Sequence, residues 1–321
     1  MRPYREVRFK GADEEVNAQW LEARKNGLGG SDAAAVLGMS KYATPLTVWL
    51  EKTGRSDPPD LSGNEKVYWG TVLEDVVAKE FAKRHPDMRV RRLNAMLWSV
   101  EHPFMFASVD RVLADSNGKR GILEIKTADK RLAEDWEEGV PDYYVPQPTH
   151  YLAVTGFDFY AVAVLVGGNA YKDFVFERDE DDVAVLIERE ESFWRGYVET
   201  DTPPAVVASA ADADALLEMH SEPDEEFVEM LDQDVPQIAE LIEIGEKEKE
   251  LKERKLLVSN ELKRIIGDSK GIRTATAKVS WPRFSKQVFD EKRFREEYPE
   301  IYSQFVTEKP SQGGLRPTEV K

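Results

Sequence analysis

Two apolar runs near the middle of the chain alternate with polar residues, and together they predict a β-hairpin. The first run covers residues 105–113 and the second covers residues 121–126, with Ser116-Asn117-Gly118, a strong turn signal, between them. Successive side chains on a strand point to opposite faces, so Glu124 and Lys126 lie on the same face of the second strand. The pattern therefore predicts a carboxylate and an ammonium side by side.

The length of the hairpin loop decides whether Asp110 joins that face. A two-residue Asn117-Gly118 turn would place Asp110 opposite Ile125, on the wrong face. A three-residue loop with a left-handed Gly118 and a bulge places Asp110 opposite Glu124 instead. We predict the second register, because it gathers two carboxylates and an ammonium, the apparatus for metal-assisted attack on a phosphodiester. The alternative, a solvated face of an antiparallel sheet, stays open at this point.

The rest of the pattern predicts a mixture of helices and strands. Within one long helix, Glu74 lies at the edge of the apolar arc and Asp75 faces away. Earlier in the chain, Ser31 is predicted to cap a short helix that ends before Gly38. The predicted longer helices cover residues 67–84, 146–155, 181–200 and 236–266, and the predicted strands cover residues 159–166, 171–176 and 274–281.

Composition limits the classes of protein that are possible. The length of 321 residues fits two domains or one elaborated domain, and 41% hydrophobic residues are enough for a substantial core. The sequence contains no run of 18 apolar residues and no basic-then-apolar leader, so we expect a soluble cytoplasmic protein. It contains no cysteine, which excludes disulfides, zinc–thiolate sites and iron–sulfur clusters. Any metal must bind oxygen ligands or the four histidines, which show no ligand spacing.

The net charge of −17 is concentrated in one segment. Residues 201–250 carry 16 acidic and 2 basic side chains, whereas residues 251–321 carry 16 basic and 10 acidic ones. The local field governs contact with a polyanion, so nucleic acid remains a possible partner despite the overall charge. We interpret the acidic run as a solvated face, with a protein-binding surface as the alternative.

The glycine stretch Gly27-Leu28-Gly29-Gly30 is not a dinucleotide or phosphate loop. It lacks the third glycine at the required offset, the preceding strand, and a following Gly-Lys-Ser/Thr. One interpretation is a plain turn into a helix. The other is an anion seat, where backbone N–H groups, the Ser31 hydroxyl and the Arg24 guanidinium converge on a terminal phosphate.

A wider set of motifs resembles one protein family. The matching residues are Arg24-x-x-Gly27-Leu28-Gly29-Gly30-Ser31-Asp32-x-Ala34-x-x-Leu37-Gly38, Tyr42-x-Thr44-Pro45 with Trp49, Gly70-x-x-Leu73-Glu74, Asp110, Glu124-Ile125-Lys126, Gln147-x-x-x-Tyr151, Phe289-Asp290-x-Lys292-Arg293-Phe294 and Tyr298-Pro299-Glu300. They resemble the YqaJ-type viral recombinase family, phage-type exonucleases related to lambda exonuclease within the PD-(D/E)xK nuclease superfamily. The resemblance extends over nearly the whole chain.

The resemblance implies an α+β fold with a restriction-endonuclease-like core, in which helices flank a mixed central sheet. We expect residues 1–200 to form the PD-(D/E)xK nuclease core. Residues 201–232 are expected to form an acidic loop or linker. Residues 233–321 are expected to form a long helix with a C-terminal strand and helix extension that packs on the core.

The family resemblance also implies a metal site. By that analogy Asp110, Glu124 and the Ile125 carbonyl bind Mg²⁺, an oxygen-preferring ion, with Mn²⁺ as a substitute. Glu74 would help with a second metal ion, although an ordinary acid at a helix edge is the alternative interpretation for that residue.

The remaining roles follow from the same resemblance. Lys126 would orient or help deprotonate the attacking water and stabilise charge on the phosphoryl oxygens. Gln147 would hold the water or the lysine, with Tyr151 as support, and both could instead be packing residues. Arg24 and Ser31 resemble the family's 5′-phosphate pocket.

The expected function is a Mg²⁺-dependent exonuclease that digests linear double-stranded DNA from the 5′ end. It would serve phage-type homologous recombination by single-strand annealing in the bacterial host cytoplasm, with no membrane association. The implied partners are DNA, a single-strand annealing protein, and further copies of the chain in a ring such as a trimer. Three alternatives stay open: an endonuclease on the same core, a non-catalytic DNA-end-binding or assembly module, and an acidic scaffold.

Overall fold

The structure of the protein is a computed structural model that describes residues 2–57, 63–220 and 226–306, together with residues 315 and 317. The chain divides into two compact units, residues 1–220 and residues 221–321. The predicted nuclease core of residues 1–200 lies within the first unit.

The first unit contains strands that form a four-stranded and a five-stranded sheet. The strands are β1 (Tyr4–Val7), β2 (Leu28–Gly29), β3 (Arg89–Arg91), β4 (Met96–Ser99), β5 (Met105–Ala107), β6 (Arg111–Ala114), β7 (Arg120–Ala128), β8 (Phe159–Val166) and β9 (Ala170–Glu177). The helices of this unit are α1 (Asp13–Lys25), α2 (Gly30–Val36), α3 (Pro45–Lys52), α4 (Glu65–Arg84), α5 (Pro146–Thr155), α6 (Glu180–Phe193) and α7 (Ala210–Met219). The four-stranded sheet has the order β1-β4-β5-β2.

The five-stranded sheet is mixed and has the order β3-β6-β7-β8-β9. Strands β7 and β8 are parallel, and the other neighbours are antiparallel. Parallel neighbours need a crossover connection, and helix α5 lies in it. The predicted α+β class, with helices flanking a mixed sheet, is confirmed.

The two faces of the five-stranded sheet pack against different helices. Leu123 of β7 shares an apolar cluster with Val77 and Phe81 of α4. Ile122, on the opposite face, belongs to the larger core that includes Leu152 of α5. Since side chains alternate along a strand, Glu124 and Lys126 lie on the α5 face. This sidedness determines which helix can complete the predicted site.

The hairpin prediction assumed that the apolar run over residues 105–113 forms one strand, and this assumption is wrong. It is divided between β5, which belongs to the four-stranded sheet, and β6, which belongs to the five-stranded sheet. Ser108 lies in the junction and its hydroxyl accepts a hydrogen bond from the Trp20 indole at 3.2 Å. Apolar alternation continues through the junction, so the pattern does not reveal the break. Asp110 therefore lies where the chain passes from one sheet to the other.

The segment interpreted as an acidic loop or linker, residues 201–232, contains helix α7. Asp212 in its first turn is buried. The Asp212 carboxylate accepts hydrogen bonds from the Thr44 hydroxyl and, at 2.5 Å, from the Val207 N–H. A buried, bonded acid attaches this part of the segment to α3, so the linker interpretation is wrong for α7. Residues 221–225 lie outside the described residues.

The second unit contains the predicted long charged helix and a small hairpin. Its elements are α8 (Gln237–Ile266), β10 (Gly271–Arg273), β11 (Lys278–Ser280), α9 (Glu291–Glu297) and α10 (Pro299–Phe305). The strand predicted over residues 274–281 is thus only three residues long and pairs with β10. Packing of this extension on the core remains a prediction. Across the described parts of both units, we find no helix with the length and apolarity to cross a bilayer.

Candidate active site

The hairpin of β6 and β7 has the predicted register. Arg111 pairs with Leu123 and Ala114 pairs with Arg120, so one further step places Asp110 opposite Glu124. The loop residue Gly118 has a φ of 86°, in the left-handed region that favours glycine.

A direct hydrogen bond attaches Asp110 to the neighbouring strand. The Oδ2 atom of Asp110 accepts a hydrogen bond from the Ile125 N–H at 2.8 Å. The loop length therefore specifies that Asp110 lies opposite Glu124.

Glu124 begins a chain of polar contacts that connects β7 to α5. Its carboxylate is buried, and Oε1 accepts a hydrogen bond from Lys126 Nζ at 2.7 Å. Lys126 Nζ also donates to Gln147 Oε1 at 2.8 Å, and Gln147 Nε2 donates to the Tyr151 hydroxyl at 2.9 Å. We call Asp110, Glu124, Lys126, Gln147 and Tyr151 the strand cluster. The structure brings together all five of these predicted residues.

The strand cluster has an excess of negative charge. Burial, and then the nearby charge of Glu124, raise the pKa of Asp110 well above its ordinary value. Burial and the charges of Glu124 and Asp110 likewise raise the pKa of Tyr151, so its phenol stays neutral. Two neighbouring carboxylates and one ammonium leave a net negative charge, which a bound cation would balance.

The donor atoms of the strand cluster fit a divalent ion with oxygen preference. The Oε2 atom of Glu124 is buried and has no hydrogen-bond partner among the described residues. A buried, unpartnered carboxylate oxygen is costly unless something else binds it. No three Asp, Glu or His side chains in the described part of the chain form a ready-made ion site. Asp110 and Glu124 thus offer two carboxylates, and Mg²⁺ typically completes such a site with carbonyls and water.

Glu74 of α4 is held in an ion pair close to Asp110. It accepts a hydrogen bond from Arg111, whose guanidinium is buried and also donates to the Asp110 carbonyl at 2.6 Å. Arg111 also donates to Asp75, which is exposed and faces away from the apolar arc of α4 as predicted. The second-metal role of Glu74 remains a prediction, because its carboxylate is bound to an arginine in this structure.

Arg111 is a neighbour of the candidate site that the sequence prediction missed. It shares a strand face with Leu113, which is fully buried. An arginine at a core-facing position of an alternating strand was the available signal, because a buried guanidinium needs a carboxylate partner.

A second charged group surrounds Arg24. Its guanidinium lies 3.2 Å from the Ser31 hydroxyl and 3.4 Å from Asp32 Oδ1. Lys52 Nζ, buried and also missed from sequence, lies 2.8 Å from Asp32 and 3.1 Å from Glu51. We call Arg24, Ser31, Asp32, Glu51 and Lys52 the helix cluster. The structure brings together the two residues predicted for the 5′-phosphate pocket, and Ser31 is exposed.

Asp32 rather than Ser31 bonds to the start of α2. The helix begins at Gly30 with Gly29 as its N-cap, and Asp32 accepts a hydrogen bond from the Gly29 N–H at 2.9 Å. The sequence predicted Ser31 as the N-cap, and this prediction is wrong. The Ser31 hydroxyl is therefore available to other partners. Burial alone would raise the pKa of Asp32, but Lys52 and Arg24 hold it below its ordinary value.

The two clusters lie next to each other because Gly30 permits close approach. A Cβ atom at Gly30 would clash with the Tyr151 ring and lie 3.1 Å from Gln147 Cγ. Only glycine lets the start of α2 pack this closely on α5. The helix cluster is thereby held beside the strand cluster.

Comparison with known proteins identifies relatives of the chain. Residues 19–158 match the model of the YqaJ-like viral recombinase domain. The uncharacterized protein YqaJ of Bacillus subtilis (strain 168) is 32% identical over 294 residues, which covers 90% of this chain and 91% of that protein. The chain therefore belongs to the YqaJ-like viral recombinase family.

The chain is also similar to solved exonuclease structures. An alkaline exonuclease from Laribacter hongkongensis has a TM-score of 0.45 and 19% identity, covering 57% of this chain and 93% of that one. The same exonuclease in complex with dAMP has a TM-score of 0.46 with the same identity and coverage.

Proposed function

We propose that this protein is a metal-dependent deoxyribonuclease that digests linear double-stranded DNA from the 5′ end. The observation that supports this best is the strand cluster. It combines an unpartnered Glu124 oxygen, a crowded Asp110 and a lysine ammonium held between Glu124 and Gln147. Carboxylates with room for a cation, beside an ammonium held in place, are the groups that cation-assisted hydrolysis of a phosphodiester needs.

Asp110, Glu124 and the Ile125 carbonyl would hold Mg²⁺, with Mn²⁺ as a substitute. The bound ion would lower the pKa of an attacking water and neutralise charge on the phosphodiester. The Ile125 N–H helps to orient Asp110, because it donates to the carboxylate. Glu74 and Arg111 adjoin this site, and Glu74 would serve a second ion if it exchanged its arginine partner for the metal.

Lys126 is the group that acts on the transferred phosphoryl oxygens. Its ammonium is held by Glu124 on one side and Gln147 on the other, so its position does not depend on substrate. Preorganised positive charge stabilises the developing negative charge more than it stabilises the ground state. Tyr151 stays a neutral phenol and accepts a hydrogen bond from Gln147, which orients that amide.

Arg24 and Ser31 would hold the 5′-terminal phosphate. The Ser31 hydroxyl is exposed and Arg24 already contacts it, so a phosphate could bind both groups together. The proximity of Gly30 to Gln147 would then bring the end of the DNA strand toward the strand cluster.

The biological setting of the proposal follows from the family, which is described as viral recombinase. Digestion from 5′ ends would leave single strands for an annealing protein in phage-type recombination. The same family resemblance supports a ring-shaped homo-oligomer around the DNA, such as a trimer.

Three substrates test the proposal. Linear duplex with 5′-phosphate, linear duplex with 5′-hydroxyl and closed circular DNA are each incubated with Mg²⁺ or EDTA. We expect Mg²⁺-dependent loss of linear DNA, faster with the 5′-phosphate, and an intact circle. Cutting of the circle would instead support an endonuclease. Binding without product in any condition would support a DNA-end-binding module.

A further inference from the structure

The edge strand β3 presents an unusual set of cations for so acidic a protein. Arg89 and Arg91 are two residues apart and therefore project from the same face of the strand. Both are exposed, and neither side chain forms an ion pair or hydrogen bond within residues that the structure describes. Charged residues often protect sheet edges from pairing with other chains, so exposure alone carries no function.

The residues around β3 indicate more than protection of a sheet edge. A groove of about 320 Å³ is lined by Arg89, Arg91, Arg92 and Arg120, and its carboxylate lining is Glu6. Arg120 comes from β7, donates to the Tyr4 hydroxyl at 3.2 Å, and has no carboxylate within salt-bridge distance among residues described here. We call these four arginines the arginine groove.

The carboxylate in the groove does little to neutralise it. Glu6 is already bound to Arg2 at 3.3 Å and to Arg8 at 2.9 Å. The groove therefore keeps a net positive charge, although the chain as a whole carries −17. The local field, and not the total, decides what binds there.

The groove continues into the candidate active site. Arg92 and Leu93 also line an adjoining cleft of about 570 Å³ whose walls include Glu74 and Asp110. The Arg92 guanidinium lies 3.8 Å from Glu74 and 3.9 Å from Asp75, so it is only loosely paired and remains mostly exposed. Arg92 thus connects the groove at the sheet edge to the cleft that contains Asp110 of the strand cluster.

We infer that the arginine groove binds the phosphate backbone of the DNA duplex beside the scissile strand. Planar guanidinium groups bind phosphate oxygens with two parallel hydrogen bonds, and several in a row suit a repeating anion better than a single one. Such contacts position a duplex without selecting its sequence. The inference rests on the proposed nuclease function and adds where the duplex lies.

The test is the salt dependence of DNA binding, measured in EDTA so that the duplex stays intact. Each phosphate contact contributes about 0.9 to the slope of log K against log salt. This slope is negative, and the double variant Arg89→Gln with Arg91→Gln should make it shallower by about 1.8. Between 50 and 200 mM salt, the affinity loss of the variant should then be smaller than that of the wild type by roughly tenfold.

A matched control removes two exposed arginines, one from α6 and one from the segment that directly follows it. Arg189 is exposed without a partner in the described structure, and Arg195 pairs at the surface with Glu191. Arg189→Gln with Arg195→Gln changes the net charge equally and should leave the slope within error of wild type. Thermal melting should be unchanged in both double variants, because all four side chains are exposed.

The outcomes separate this inference from the function on which it rests. If the wild type digests DNA but the β3 variant keeps its salt slope, or loses no more than the control, the groove does not bind DNA. If inorganic phosphate binds the wild type and not the β3 variant while duplex binding is unaffected, the groove is a small-anion site. If the wild type neither binds nor cuts duplex DNA, both the proposed function and this inference fail.

Discussion

The strand cluster and the helix cluster each contain an aspartate, half-buried at Asp110 and buried at Asp32, yet their charges are balanced differently. The strand cluster sets two carboxylates against one ammonium, and the pKa of Asp110 is raised. The helix cluster sets Asp32 and Glu51 against Arg24 and Lys52, and the pKa of Asp32 is lowered.

The two aspartate side chains therefore differ in whether they need a further positive charge. Asp32 already has its counter-charges and stabilises the fold as a carboxylate. Asp110 lacks a positive charge, which is the deficit that a divalent ion would fill. An aspartate whose counter-charges are in place supports structure, whereas one without them is prepared for a cation, and the comparison can be broken by substitution at either aspartate.

The largest expected effect is on stability, from Asp32→Asn. Lys52 is buried and would keep only Glu51 as a carboxylate partner, so the substitution should cost up to about 3–5 kcal/mol of unfolding free energy. Urea unfolding measures the loss. The double variant Asp32→Asn with Lys52→Met should recover part of it, because removing both partners leaves no buried charge unpaired. A single variant as stable as wild type would contradict the balanced-charge interpretation.

The same free energy should depend on pH. The pKa of Asp32 is lower in the folded state than in the unfolded state, so its contribution is fully present above the unfolded value of about 3.8. It should disappear as the pH falls through the lower, folded pKa. The stability difference between wild type and Asp32→Asn, followed by urea unfolding from pH 6 downward, should therefore shrink only in strongly acidic solution. A difference that grows on acidification would have the wrong sign.

The next largest effect is on catalysis, from Lys126→Ala. Loss of a preorganised charge that acts on the transition state typically lowers kcat by about 10²–10³. DNA affinity in EDTA should change little. Lys79→Ala removes an exposed lysine of α4 and is the matched control. Wild-type turnover in the Lys126 variant would rule out the proposed role.

Arg24→Ala should act on end preference. A charge-assisted hydrogen bond is worth about 1.5–3 kcal/mol, so the preference for 5′-phosphate over 5′-hydroxyl ends should fall by roughly 10–100-fold. Initial digestion rates on the two substrates give the ratio. Arg131→Ala, at a highly exposed arginine, is the control. Equal loss on both substrates would indicate general destabilisation instead.

The smallest effect, and the sharpest contrast with Asp32, is expected from Asp110→Asn. Burial and Glu124 oppose the charge of Asp110, so the carboxamide should stabilise the metal-free protein. An increase of a few degrees in Tm would correspond to about 1 kcal/mol in a unit of this size. Mg²⁺ should raise the Tm of the wild type and not that of the variant. A lower Tm of the variant than of the wild type in EDTA would mean that the charge of Asp110 is already balanced in the metal-free protein.

Much of the fold could be predicted because it depends on neighbouring residues. Strands β8 and β9 and helix α5 follow from local apolar patterns, and Gly156 ends α5 in the left-handed conformation. The register of Asp110 and Glu124 also follows locally, since the loop length and Gly118 determine it.

The missed features depend on residues that are far apart in sequence. Arg111 bonds to Glu74 and Asp75, which precede it by more than 30 positions. Lys52 is buried because it meets Asp32 and the Arg24 carbonyl, a combination that no periodicity reveals. The α7 helix is attached through Thr44 and Asp212, which are 168 positions apart.

The sequence by itself determined the hairpin, its register and the residue types that chemistry at the strand cluster would require. The tertiary structure decided which charges are balanced and which are not, how the run over residues 105–113 divides between two sheets, and where Arg89 and Arg91 meet Arg120. Hydrogen bonds and turns are specified over a few residues. Burial and electrostatic balance depend instead on every group that the fold brings within reach.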